Sequence, residues 1–151
     1  MRWFWEQVFD NEILWITVVS WATAQCIKII IGIIRERRFN FKWIFGTGGM
    51  PSSHAAGVST LATSIGLTIG FHTHLFALAA IFAFITMFDA QTSRRSIGVQ
   101  ARILNKIMDD VSHRKKIEDQ RLRELIGHTP IEVLVGALLG IGIALSLTGR
   151  L

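Results

Sequence analysis

Two histidines, His54 and His128, each sit beside groups suited to holding a phosphate. His54 follows Gly48-Gly49-Met50-Pro51-Ser52-Ser53, where glycines free the backbone and Ser52 or Ser53 can cap a helix. The N–H groups at such a helix start attract anions. His128 lies in Gly127-His128-Thr129-Pro130-Ile131-Glu132, four residues before a carboxylate that can hold an imidazole in one tautomer. Lys28 and Arg35 are seven residues apart, two helical turns, and so share a face. Arg94 and Arg95 are adjacent and can clamp a phosphate, with Asp89 close before them. Together these groups meet the needs of phosphoryl transfer through a phosphohistidine. Cations and N–H donors take the oxygens, one histidine attacks, and the other protonates the leaving alcohol.

Each group also has a plainer reading. Arg35, Arg94 and Arg95 suit ordinary membrane-flanking arginines, and Lys28 can snorkel to a membrane edge. Asp89 can pair with Arg94. Thr129 to Glu132 spells a capping box with Pro130 at the first helical position, which accounts for Glu132 by itself. What joins the groups is position, since all fall at the same ends of four apolar runs.

Those runs are the elements that must position them. The chain has 151 residues, half of them hydrophobic and 18% charged, with a mean hydropathy of +0.42. A soluble domain carries about a quarter charged residues. The apolar residues gather into runs at about 13–34, 54–71, 75–88 and 131–147. Four crossings of about 20 residues leave little for a separate soluble core. The expected fold is therefore all-α: one integral membrane domain over 1–151, with about four transmembrane helices. A water-soluble enzyme, a disordered tail and a disulfide scaffold are excluded. Cys26 is the single cysteine and has no internal partner. No lipidation signal or cleavable signal peptide is visible.

The charge, +5, is distributed by side. Segments 35–53 and 89–130 hold thirteen Lys and Arg, the opposite side holds Arg2 and Arg150, and Lys28 lies within the first run. This bias predicts both loops in the cytoplasm and both termini outside. It also points to anionic lipid headgroups as partners, not nucleic acid. Trp3, Trp5 and Trp43 flank the first run, and Trp15 and Trp21 lie inside it. Segment 95–126 begins with Ile97, Ala101, Leu104, Ile107, Met108 and Val111 at helical spacing, which predicts an amphipathic helix on the cytoplasmic surface. The stretch from Asp109 to Glu124 is mostly charged and is expected to be solvated. Gly66 with Gly70, and Gly136 with Gly140, allow close helix approach, either inside the bundle or between copies in a homodimer.

Lys28-x6-Arg35, Pro51-Ser52-Ser53-His54, Ser93-Arg94-Arg95 and His128-x3-Glu132 resemble the signatures of the type 2 phosphatidic acid phosphatase (PAP2) superfamily. The strings Gly-Gly-Met-Pro-Ser-Ser-His, Asp89-Ala90, Gly98-Val99-Gln100-Ala101, Leu104-Asn105 and Gly127-His128-Thr129-Pro130 resemble its small divergent membrane branch. The resemblance runs from about residue 12 to 147. It implies His128 as nucleophile, Glu132 as its orienter and His54 as general acid. Lys28, Arg35, the Ser52 and Ser53 backbone, and Arg94 or Arg95 would bind phosphate. It implies no metal and no cofactor, a lipid phosphate or diphosphate substrate, and a bacterial plasma membrane with the site on the cytoplasmic side. The chain departs from the superfamily pattern at four residues or spacings. Glu36 follows Arg35 where proline is usual, Ser53 replaces a glycine, Glu132 replaces an aspartate, and Arg95 is more than thirty residues from His128. Four spans also replace the more usual six.

Other readings fit parts of the chain. A non-catalytic protein that binds anionic lipids or scaffolds partners needs only the cations. A magnesium-dependent phosphotransferase would use Asp89, Asp109 and Asp110, which are not clustered for two metals. A transporter would need an inverted repeat or broken helices, and neither is visible. His72 and His74 form an HxH pair without a third ligand nearby, which reads as an ordinary loop.

Overall fold

The computed structural model describes residues 1–37, 49–112 and 129–149, and gives the backbone alone for residues 93–97 and 109–112. The whole of 113–128, His128 included, lies outside the described residues, as do residues 38–48 and 150–151. Six helices are described: α1 (Arg2–Phe9), α2 (Glu12–Glu36), α3 (Ser53–Thr68), α4 (His74–Gln91), α5 (Ser93–Ser112) and α6 (Pro130–Leu147). No strand occurs among the described residues.

Side-chain caps mark where the four long apolar helices begin. Asn11 accepts from the Leu14 N–H at 3.0 Å, Ser52 from Ala55 at 3.3 Å, and Thr73 from Phe76 at 3.3 Å. Thr129 accepts from Glu132 at 3.3 Å. Each cap satisfies an N–H that has no partner within its helix.

α2, α4 and α6 are long and apolar enough to cross a membrane. Their large side chains point outward. Leu78, Ile81, Phe84 and Ile85 on α4, and Leu134, Leu138 and Leu145 on α6, are all more than half exposed. The buried faces of α4 and α6 are mostly small: Ala79 and Ala83 on α4, and Gly136, Gly140 and Ala144 beside Val133 on α6, while α2 buries Ser20 and Ala24 together with Ile16 and Gln25. Small residues inside and large apolar residues outside is the pattern of helices packed in lipid, where burying Leu against Leu brings no gain over burying it against a lipid tail.

α3 is the core. Ten of its 16 residues are buried, more than on any other described helix. At about 1.5 Å per residue it is shorter than a usual span. The run expected over 54–71 is thus an inner helix packed against α2, α4 and α6. Its Ala, Gly, Ser and Thr face protein, so it does not need the bulk of a lipid-facing span.

A hydroxyl cluster fixes its centre. Thr60 has one proton, and the carbonyl of Gly140 can only accept, so Thr60 donates there at 2.9 Å and accepts from Ser20 at 2.6 Å. All three partners are buried, and they join α2, α3 and α6. Both glycine pairs are used within the chain. A Cβ on Gly136 would strike the Ser52 carbonyl, and one on Gly140 would strike the Ala56 carbonyl. Gly66 lies under the Phe71 ring, and Gly70 takes a positive φ of 114° in the α3–α4 turn.

The amphipathic helix expected over 95–126 is described as α5, Ser93–Ser112. It buries Gly98, Ala101 and Asn105 and exposes Val99, Ile103, Leu104 and Ile107. α1 was not expected as a separate helix. It carries Trp3, Phe4, Trp5 and Phe9, all exposed, and Phe9 stacks on Trp15 with ring centroids 5.9 Å apart.

Candidate phosphate site

The C-terminal end of α2 and the starts of α3 and α6 meet at one end of the bundle. The Ser52 N–H donates to the Glu132 carbonyl at 3.0 Å, which ties the two helix starts together. Gly136, one turn further along α6, lets the Ser52 backbone approach. Ahead of Ser52, Gly49 has a φ of 87°, which a side chain rarely adopts, and the Met50–Pro51 peptide is cis. A Cβ on Gly49 would lie 3.3 Å from Cγ of Lys28.

Lys28 and Arg35 line one cavity of about 420 Å³. Gly49, Met50, Thr129 and Glu132 also border it. The seven-residue spacing on α2 thus puts both cations on the same opening, Lys28 half-buried and Arg35 exposed. Glu132 acts electrostatically on Lys28. Its carboxylate also completes the capping box, accepting the Thr129 N–H at 3.1 Å. That N–H belongs to the peptide bond joining residue 128 to residue 129. Glu132 therefore holds the Thr129 amide, next in sequence to His128.

Ser53 and His54 line a second cavity, of about 400 Å³, between α2, α3 and α4. Ser52 and Ser53 are buried. The Ser52 N–H donates to Glu132, and the Ala55 and Ala56 N–H groups donate to Ser52, so an anion at this helix start would meet the Ser53 and His54 N–H groups. Asp89 is exposed at the end of α4. The side chains of Arg94 and Arg95 lie outside the described set, although their backbone begins α5. Among the described residues no cluster of His, Cys, Asp and Glu is arranged to hold a metal. Gly32, which also lines the first cavity, was not singled out from sequence, and Thr129 was read there only as a helix cap. Gly32 is four residues after Lys28 on the same helix face, so the periodicity that paired Lys28 with Arg35 also points to it.

The arrangement offers two cations, Lys28 and Arg35, two carboxylates, Glu36 and Glu132, and the start of α6 around one opening, with His54 on the adjoining cavity. The sequence profile of the divergent PAP2 family matches residues 9–143.

The chain belongs to the divergent PAP2 family.

It is similar to the uncharacterized membrane protein YuiD of Bacillus subtilis (strain 168), with 43% identity over 135 residues, covering 82% of this chain and 85% of the relative. No solved structure matches it. The family match, the membrane-protein relative and three apolar helices of spanning length identify an integral membrane protein. The family match takes in both cavities and the whole of α2 through α5.

Proposed function

We propose that this divergent PAP2 protein is a phosphatase for a lipid phosphate or diphosphate, working through a phosphohistidine at the cytoplasmic face of a bacterial plasma membrane. The observation that carries this reading is the cavity where Lys28 and Arg35 open beside Thr129, the residue that follows His128. A lipid phosphate brings a dianionic head to such cations while its tail stays in the bilayer.

In this reading Lys28, Arg35 and one of Arg94 and Arg95 hold the phosphate oxygens. An imidazole nitrogen of His128 forms a bond to phosphorus as the bond to the lipid oxygen breaks. His54 gives its proton to that leaving oxygen. Water then attacks the phosphohistidine, with His54 taking a proton from it, and inorganic phosphate leaves. Glu132 steadies His128. No divalent metal is required.

A second reading is favoured by the capping box. The hydrogen bond seen for the Glu132 carboxylate is to backbone, and its charge acts on Lys28. A chain that only binds anionic lipid phosphates needs no more than that.

Phosphate release by the purified protein from a panel of lipid phosphates and diphosphates, with and without EDTA, decides between them. Release that persists in EDTA and is lost in His128→Ala is expected. Binding without release on every substrate would overturn the phosphatase reading in favour of the binder. Release that requires magnesium would overturn the phosphohistidine route.

A further inference from the structure

α2 and α4 both pack on α3, yet they make no close backbone approach to each other. A strip of α3 is therefore open to the side between two helices of membrane-spanning length. His54, Val58 and Leu61 form this strip, at positions i, i+4 and i+7, and all three are only partly buried, while their neighbours Ser53, Ala55, Ala56, Gly57, Ser59, Thr60 and Ala62 are buried. Gly57 widens it, since a Cβ there would meet nothing nearer than Trp21 Cβ at 3.9 Å. Val18 and Trp21 form one wall and Phe82 the other.

The walls include two threonines but are apolar in effect. Thr17 donates its hydroxyl to the Ile13 carbonyl at 2.7 Å, and Thr86 donates to the Phe82 carbonyl at 2.8 Å. Both hydroxyls are turned back onto their own helices, leaving methyl groups for the groove. Ile13, Leu61 and Phe76 pack around the Ala62 and Ile65 cluster further down. The groove thus has an apolar length along α3 and a polar end at Ser53 and His54, beside the loop that borders the Lys28 cavity.

We propose that this lateral groove seats one hydrocarbon chain of the lipid phosphate, with the chain's oxygen end at His54. The proposal rests on the phosphatase reading for the identity of the head, and on the groove's own geometry for the tail. From His54 to Leu61 the strip runs seven residues, roughly 10 Å of helix, so it meets a stretch of a single chain. The placement explains why His54 borders a different cavity from Lys28 and Arg35. The cations take the phosphate oxygens, whereas a general acid must reach the oxygen that leaves with the chain. The scissile bond then lies between the two cavities.

The test uses hexadecyl monophosphate carrying a mid-chain diazirine, with the full chain reconstituted in lipid nanodiscs. Photolysis is followed by peptide mapping, which needs no turnover. Labelling is expected at Val58 and Leu61 in excess over Phe84 and Leu138, which are more than half exposed on the outer faces of α4 and α6. Val58→Trp, and separately Leu61→Trp, should remove the groove labelling and leave the Phe84 labelling unchanged. The unchanged Phe84 signal reports that each variant still inserts. Where the protein turns over, the same variants should raise KM for hexadecyl phosphate by roughly tenfold or more and leave propyl phosphate hydrolysis unaltered. Labelling no stronger in the groove than at Phe84 would overturn the proposal. So would groove labelling that survives both tryptophans, or an equal loss of activity on long and short phosphates. Groove labelling without phosphate release would retain the chain site and sink only the phosphatase reading.

Discussion

The backbone N–H of Ser52 donates to the backbone carbonyl of Glu132 at 3.0 Å, tying the start of α3 to the first turn of α6. Ser52 leads into His54, and Glu132 holds the amide that follows His128. A bond that uses no side chain thus joins the start of α3, which carries His54, to the first turn of α6. Side-chain substitutions at Ser52 or Glu132 leave it in place. Substitutions that push the helices apart do not.

Gly136→Ala is the direct way to push them apart. The added methyl would strike the Ser52 carbonyl and come within 3.1 Å of the Ser52 nitrogen and of Ala55 Cβ. The obstacle is mostly backbone, which cannot rotate aside. A loss of about 1–3 kcal/mol is expected, the usual cost of overpacking. Gly142→Ala, with nothing within 4 Å of its Cβ, should cost far less. Thermal unfolding of both variants in the same detergent checks the contrast.

The hydroxyl cluster at the bundle centre gives a second stability test. Thr60→Val keeps the shape but removes the bonds to Ser20 and Gly140. Interhelical hydrogen bonds of this kind average about 0.6 kcal/mol in membrane proteins, with a maximum near 1.7. Thr60→Val is expected to cost about twice Ser20→Ala, because it breaks two bonds and not one. Equal losses, measured by unfolding, would show that the Thr60–Gly140 bond adds nothing to stability.

These particulars show what hydropathy and spacing carry and what they leave out. The helix starts at Ser53 and Pro130 were legible because Ser52 or Ser53 and Thr129 are capping residues just before apolar runs, whereas the start at His74 followed from hydropathy alone. The shared face of Lys28 and Arg35 followed from helix period. The inner position of α3 did not, because Ala, Gly, Ser and Thr score alike whether they face lipid or protein. Only packing against three neighbours shows that Thr60 is inside. The glycine pairs signalled close approach but not their partners, which depend on the order of helices around the bundle. The groove at His54 was the least legible feature. It exists because α2 and α4 fail to meet, and no residue encodes the absence of a contact. α1 had a signal in Trp3, Phe4, Trp5 and Phe9, which read equally well as flanking aromatics.

Gly49→Ala tests how Lys28 is aimed. The φ of 87° costs an alanine about 1–2 kcal/mol, and its methyl would press on the Lys28 stem. Lys28→Met keeps much of the stem and removes the charge. Charged hydrogen bonds contribute about 1.5–3 kcal/mol, so Lys28→Met is expected to weaken lipid-phosphate binding by roughly 10–100-fold. Gly49→Ala should weaken it in the same direction. Titration with a lipid phosphate and with its uncharged alcohol separates the head from the tail. A Lys28→Met protein that loses affinity equally for both would show that Lys28 does not meet the phosphate.

Glu132 serves two demands, and one substitution separates them. Its carboxylate accepts the Thr129 N–H, and its backbone N–H donates to the Thr129 hydroxyl. Glutamine can fill the same cap, so Glu132→Gln should leave the helix start intact and stability within about 0.5 kcal/mol. It cannot supply the negative charge that would steady an imidazolium as His128 reacts. If Glu132 orients His128, Glu132→Gln loses turnover while its melting temperature stays near that of the unchanged protein. If Glu132 only caps α6, both quantities are preserved. Glu132→Ala then gives the scale, since losing the cap costs about 0.5–2 kcal/mol in either case. The pair of measurements, turnover against melting temperature, puts the two readings on different axes. A glutamine variant with full phosphate release would remove Glu132 from the chemistry and leave His128 to be positioned by its backbone alone.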